Sequence, residues 1–236
     1  MVFDSANGCT VLFGGQANGN AFLADTWLYE DQKWRKRWFW FWNRPSPRCG
    51  HSMAFDEALG KTVLFGGISP MDRPLGDTWT FDGSRWEKWK GNGPPARRYP
   101  SFAYHPTLKG CVLHGGAVDD NGREKFGDTW LFRNGQWSRM SELFDTTERD
   151  DHGLGYHESA GMMVMLEGLS RPREVLGLGK NGWREIEVDP MHPRLQCSPL
   201  TYVPQFNGLV MHGGETGHGG DQFDQTFVLK LAGNVE

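Results

Sequence analysis

The chain has no apolar run approaching the roughly 20 residues that cross a bilayer. Its start, Met1-Val2-Phe3-Asp4, has no basic segment followed by an apolar one. Neither a membrane span nor a secretory leader is expected. Cysteine is scarce: Cys9, Cys49, Cys111 and Cys197 are scattered through 236 residues without a Cys-x-x-Cys pair. They are too few for a disulfide framework. Read as free thiols they fit a reducing compartment, so a cytoplasmic location is expected. Positive charge is not in excess. The 25 Lys and Arg against 29 Asp and Glu leave a net charge of -4, which argues against a nucleic-acid partner gripped by its phosphates. Sustained 3.6-residue apolar periodicity is absent, which excludes a helical solenoid. No nucleophilic triad or phosphate-cradling glycine loop is visible.

Glycine and aromatic residues are plentiful: 32 Gly, 11 Trp, 15 Phe and 5 Tyr. Aromatics at this level require a packed interior. They also recur in order. Val11-Leu12-Phe13-Gly14-Gly15 returns as Val63 to Gly67, as Val112-Leu113-His114-Gly115-Gly116 and as Val210-Met211-His212-Gly213-Gly214. Val164-Met165-Leu166-Glu167-Gly168 is a degraded copy between them. The Val positions step by 52, 49, 52 and 46 residues, a period of about 50. Asp25-Thr26-Trp27 travels in phase with Asp77-Thr78-Trp79 and Asp128-Thr129-Trp130, and Trp34, Trp86, Trp137 and Trp183 follow at a fixed offset.

Each unit reads as four short strands. In the second unit these are His51 to Phe55, Lys61 to Phe65, Thr78 to Phe81 and a strand starting near Trp86. They are rich in β-branched and aromatic residues and are separated by turn residues. Asp82-Gly83, Asn134-Gly135 and Asn181-Gly182 are hairpin dipeptides between the third and fourth strands. The Gly-Gly pair is expected to end the second strand with a sharp turn.

These landmarks resemble the kelch repeat, in the wording used by bacterial kelch proteins. The resemblance covers essentially the whole chain. It implies an all-β propeller of five blades, each of four antiparallel strands, with an incomplete last blade. One domain, 1–236, is expected, with blades at about 1–43, 44–92, 93–144, 145–190 and 191–236. The simplest reading is a closed five-bladed ring; the alternatives are a truncated or divergent form of a six- or seven-bladed ring, left open, and a ring closed by a second chain. The fold itself does not determine function.

Loops joining strands B to C and D to A emerge on one face, where they are long and variable, as functional loops on a rigid scaffold are. In kelch adaptors of ubiquitin ligases, Arg residues just ahead of strand A line the ligand pocket within Arg-x-Gly. Arg48-Cys49-Gly50 matches that pattern, and Arg97, Arg149 and Arg194 match approximately by position. The resemblance makes these four candidate ligand contacts, suited to carboxylate or phosphate; satisfying backbone carbonyls or pairing with the strand C Asp of a neighbouring blade is the structural alternative. His51, His152, Glu215 and His218 complete the candidate ligand-binding set. Asp150-Asp151-His152 and His157, with His212, His218, Asp221 and Asp224, form the richest His/Asp cluster. If a Zn or Fe ion is used, His152, His212, His218 and Asp221 are its candidate ligands; no cofactor is the primary expectation.

Trp38-Phe39-Trp40-Phe41-Trp42 breaks the repeat. Alternation along a strand cannot turn five consecutive aromatics inward. Trp38, Trp40 and Trp42 are therefore a candidate interaction surface for self-association, a carbohydrate or a protein. The leading functional expectation is a non-catalytic propeller binding a protein or small ligand at the B–C/D–A face. The alternative is a metal-dependent hydrolase or lyase using the His/Asp cluster.

Overall fold

A computed structural model describes residues 1–18, 21–119, 124–166, 174–189, 199–214 and 222–231. The repeat folds as five antiparallel sheets. Blade one contains β1 (Val2–Asp4), β2 (Cys9–Ala17), β3 (Ala21–Glu30) and β4 (Lys33–Arg37). Blade two contains β5 (Ser52–Asp56), β6 (Lys61–Phe65), β7 (Thr78–Phe81) and β8 (Trp86–Lys88). Blade three contains β9 (Ser101–His105), β10 (Gly110–His114), β11 (Thr129–Arg133) and β12 (Gln136–Arg139). Blade four contains β13 (Leu154–His157), β14 (Met162–Leu166), β15 (Val175–Gly179) and β16 (Gly182–Glu185). Blade five runs through β18 (Thr201–Val203), β19 (Gly208–His212) and β20 (Thr226–Leu231), with no later strand among the described residues. Its outer edge is instead covered by β17 (Val188–Asp189), which pairs Val188 with Leu231 and Asp189 with Lys230. No repeat landmark marks those two residues.

Strand alternation gives each sheet two apolar faces, and consecutive blades stack face to face. Four core clusters result. Val11, Phe13 and Leu28 of blade one meet Leu64, Phe81 and Trp86 of blade two. The same arrangement joins blades two and three around Phe65 and Trp137, and blades three and four around Val112 and Met165. Blades four and five meet through Val164, Leu166, Leu209 and Met211. No cluster among the described residues joins blade five to blade one.

The double glycine works as its spacing implies in blade two. Gly66 and Gly67 have φ of 70° and 99°, and a Cβ on Gly66 would sit 2.6 Å from the Arg97 carbonyl oxygen. Only glycine permits both that backbone and that approach. Blade one differs: β2 runs on through Gly14-Gly15 to Ala17 by way of a bulge. The C–D turns also depart from the sequence reading. Asn134-Gly135 places both residues at positive φ, whereas in Asp82-Gly83 and Asn181-Gly182 only the glycine does. Asp82 instead accepts the Ser84 and Arg85 backbone N–H groups on its carboxylate.

Candidate functional site

The segments entering each strand A form the hinges between blades. The Arg48 backbone belongs to blade one: its N–H donates to Leu23 O at 3.0 Å, and its carbonyl accepts from Gly15 N–H at 2.9 Å. Its side chain belongs to blade two. It donates to Gly66 O at 2.9 Å and grips Asp77 with two bonds of 2.6 and 2.9 Å. Ser46 accepts the remaining guanidinium protons. Arg97 repeats this one blade on, with Gly115 O at 2.9 Å and Asp128 Oδ2 at 3.0 Å. Both arginine side chains are fully buried. Burial pushes the Asp77 carboxyl up, but the Arg48 hydrogen bonds and charge outweigh it and hold Asp77 below the usual carboxylate range. Asp128 is lowered by Arg97 against the same burial. Arg149 faces Glu174 in place of an Asp, at a looser 3.8 Å.

This placement corrects the ligand reading of Arg48 and Arg97. Bidentate pairing inside their own blades leaves their guanidinium groups no surface to present. The structural alternative is closer, although each partner Asp lies in the blade the Arg introduces.

The residues two positions on do reach the axis. Gly50, Tyr99 and Asp151 occupy the same place in blades two, three and four, and all are left-handed, with φ of 59°, 52° and 51°. Tyr99 N–H donates to Gly50 O at 2.7 Å, and Asp151 N–H donates to Tyr99 O at 3.2 Å. The three corners are thus laced around the axis by backbone bonds. They line a cavity of about 330 Å³ together with His51, Ser52, Ser101, His152, Met1 and Pro199. All five blades contribute to that lining. The B–C loops lie at the same end, since Ile68 bridges to Cys49 and Ala117 to Arg98.

His51 and His152 line this cavity, and the Nδ1 of each is buried without a hydrogen-bond partner. Burial, reinforced by Arg48 and the N-terminal charge, pushes His51 down to about 3. Burial, then His114 and Arg149, pushes His152 well below the ordinary imidazole value. Both are neutral at pH 7.

The described members of the His/Asp cluster are not gathered around one point. His152 Nε2 meets His114 Nδ1 at 3.2 Å, and Asp150 pairs with Lys125 at 2.6 Å. His157 lies at the far end of β13, tilted against Tyr202 with ring centroids 4.9 Å apart. Five residues of chain, most of them in β13, carry it away from His152 by up to roughly 16 Å. His212 bonds Thr226 at 2.8 Å, and Asp224 is exposed. Among the described residues no three His, Cys, Asp or Glu side chains are gathered to hold a metal ion. Arg194, Glu215, His218 and Asp221 lie outside the described residues, as does Cys197; Cys9, Cys49 and Cys111 are free thiols.

The aromatic run divides. Phe39 turns inward against Phe81 at 6.1 Å. Trp38, Trp40 and Trp42 are 82%, 70% and 59% exposed. Trp40 and Trp42 stack in parallel at 5.4 Å, and Lys36 Nζ lies 4.8 Å over the Trp38 ring.

An F-box/kelch-repeat protein of Arabidopsis thaliana is 33% identical over 167 residues, which are 61% of this chain and 33% of the relative. Repeat spacing, sheet order and this relative agree. The chain is a kelch-type propeller. It spans about a third of the length of that relative. The propeller also superposes on the solved structure of YjhT with a TM-score of 0.68, 11% identity and coverage of 95% of this chain and 83% of that one. No family model matches. No helix among the described residues is long and apolar enough to cross a membrane.

Tyr99 and Asp151 were missed in the sequence, although a signal existed. They replace the glycine of Arg-x-Gly, and a bulky side chain at a glycine position marks a backbone held against its preference.

Proposed function

We propose that this chain is a non-catalytic binding propeller that takes a protein or small ligand at the axial mouth, where the D–A and B–C loops meet. The observation carrying this reading is the left-handed pair Tyr99 and Asp151. Two side chains at a position that favours glycine cost stability, and such strain gathers at functional sites. Here it places a phenol and a carboxylate on the cavity lining, beside two neutral imidazoles with unpartnered nitrogens. The ligand contacts are therefore Tyr99, Asp151, His51 and His152 rather than the buried arginines. The cavity favours a hydrogen-bonding ligand with an apolar or aromatic face.

Saturation-transfer NMR with a fragment set tests this on the native chain and on Tyr99→Gly and Asp151→Gly. Fragments binding the native chain should lose about tenfold in affinity, near 1.4 kcal/mol, in each variant. Restoring glycine should leave the melting temperature of Asp151→Gly unchanged or raised. Undiminished binding by both variants would sink the assignment of the mouth. Trp38, Trp40 and Trp42 are a second candidate contact surface, favoured by the exposed parallel stack, and a Trp40→Ser, Trp42→Ser chain would separate the two.

A further inference from the structure

Consecutive blades repeat one joint, so each place in one joint has an equivalent in the next. At its centre Trp137 of blade three donates its indole N–H to Thr78 at 2.9 Å, and Trp183 of blade four to Thr129 at 3.1 Å. Beyond that ring, where the A–B and C–D turns gather, Trp89 plugs the joint between blades two and three. Its indole donates to Gly135 O at 2.6 Å, and its ring stands edge-on to Phe132 at 6.2 Å. Leu59 packs against the same cluster.

The joint between blades three and four lacks that plug. The backbone N–H of Trp89 donates to Thr78 O and that of Met140 to Thr129 O, both at 2.9 Å, so Met140 stands where Trp89 does. Phe132 pairs with Trp137 across its hairpin and Leu178 with Trp183, so Leu178 stands where Phe132 does. Leu108 takes the place of Leu59, three residues past the end of strand A. Two aromatic rings are thus replaced by a thioether and an aliphatic chain.

The space they leave is open. A cleft of about 740 Å³ lies between Leu108, Met140 and Phe144 of blade three and Leu178 and Trp183 of blade four. Sites for small ligands span roughly 300–1,000 Å³. Trp183 is half-buried there, whereas Trp86 and Trp137 are 4% and 8% exposed. Lys180 and Arg184 line the edge of the cleft and are exposed. None of its described lining residues is acidic. Asn181 takes the hairpin place of Gly135 and adds a side-chain amide.

We propose that this cleft binds a small aromatic carboxylate. Its ring enters where the Trp89 indole enters one blade earlier, and its carboxylate lies at the Lys180 and Arg184 edge. The chain itself shows the shape the joint accepts, a flat two-ring system held edge-on to the wall. Covering the Trp183 face removes apolar surface from water, which favours association. The cationic edge selects an anion through charge-assisted hydrogen bonds. The cleft sits at the opposite end of the strands from the axial mouth, and its assignment does not rest on that reading.

Isothermal titration calorimetry of the full chain with indole-3-propionate tests this, with indole and tryptamine as the uncharged and cationic rings. The native chain should bind one equivalent of indole-3-propionate, at least about tenfold tighter than either control. Met140→Trp, which restores a plug, should abolish binding and hold or raise the melting temperature. Lys180→Glu changes an exposed turn residue; it should weaken binding about tenfold and leave melting unchanged. Tyr99→Gly should bind the probe like the native chain, which separates the cleft from the mouth. Should circular dichroism show that Met140→Trp misfolds, Lys180→Glu decides alone. The proposal is overturned by an absence of saturable binding below about 1 mM or by equal affinity for tryptamine. Native affinity in a folded Met140→Trp or in Lys180→Glu, or loss of binding in Tyr99→Gly, would overturn it too.

Discussion

The contact between blades three and four and the contact between blades four and five share a geometry but not a chemistry. The first combines an apolar cluster with the Trp183–Thr129 bond and the Trp183–His114 ring contact. At the second, Leu166 and Val175 occupy the places of the aromatic and the threonine, and blade five has no outer-strand Trp to enter. Met162, Val164, Leu209, Met211 and Leu229 hold it together. Apolar area is enough to bring two sheets together, because burial is non-directional. A Trp N–H that must find a hydroxyl specifies where they meet, since a buried unpaired donor is costly. The conspicuous sequence landmarks are therefore alignment devices, and a blade that lost them still packs.

The sharpest way to break that comparison is at the Trp. Trp137→Ala removes a buried ring and strands Thr78, and should cost about 3–5 kcal/mol in urea unfolding. Trp34→Ala, the equivalent residue of blade one and 45% exposed, should cost at most about 0.5 kcal/mol. Equal losses would mean that blade one's face is already covered. Next come the Arg latches. Arg97→Ala leaves Asp128 without its buried partner and should cost about 3 kcal/mol. Arg149→Ala, whose acid stands at 3.8 Å, should cost roughly 1 kcal/mol. Equal values would show that the Glu174 latch is as tight as the Asp ones.

A more modest effect than the Trp137 and Arg97 losses should come from pH. Burial, with Arg149 as the main added charge, holds His114 down to about 3 in the fold, as His51 is held. The unfolded chain takes up protons on these imidazoles near 6.5. Their contribution is complete above that value and shrinks as pH falls from 6.5 toward 3. Each group should lose about 1–2 kcal/mol between pH 6.5 and pH 5. His114→Phe, which restores the residue at the equivalent place in blades one and two, should flatten that slope. An unchanged acid slope in this variant would refute the assignment.

The sheets were legible because Trp, Gly-Gly and Asp-Thr-Trp recur at one spacing, and their physical roles demand those residues. Lys61–Phe65 and Thr78–Phe81 fall where the repeat puts them. The direction of Arg48 was not legible. An arginine ahead of strand A reads alike whether it faces the axis or an aspartate 29 residues on, and only packing distinguishes the two. The His/Asp cluster looked dense because sequence proximity ignores how far a strand carries its ends apart. The strand at Val188 was invisible because two residues carry no periodicity, and its partner strand lies far along the chain.

That short strand has a consequence for synthesis. The edge of the last sheet is made before the strand it will cover, so Val188–Asp189 leaves the ribosome with its partner still untranslated. Until translation delivers Thr226–Leu231, the nascent polypeptide displays an unsatisfied ladder edge, a state prone to mispairing. Completion of the fifth blade is thus timed by elongation, and a translational pause between these two strands lengthens the interval of exposure.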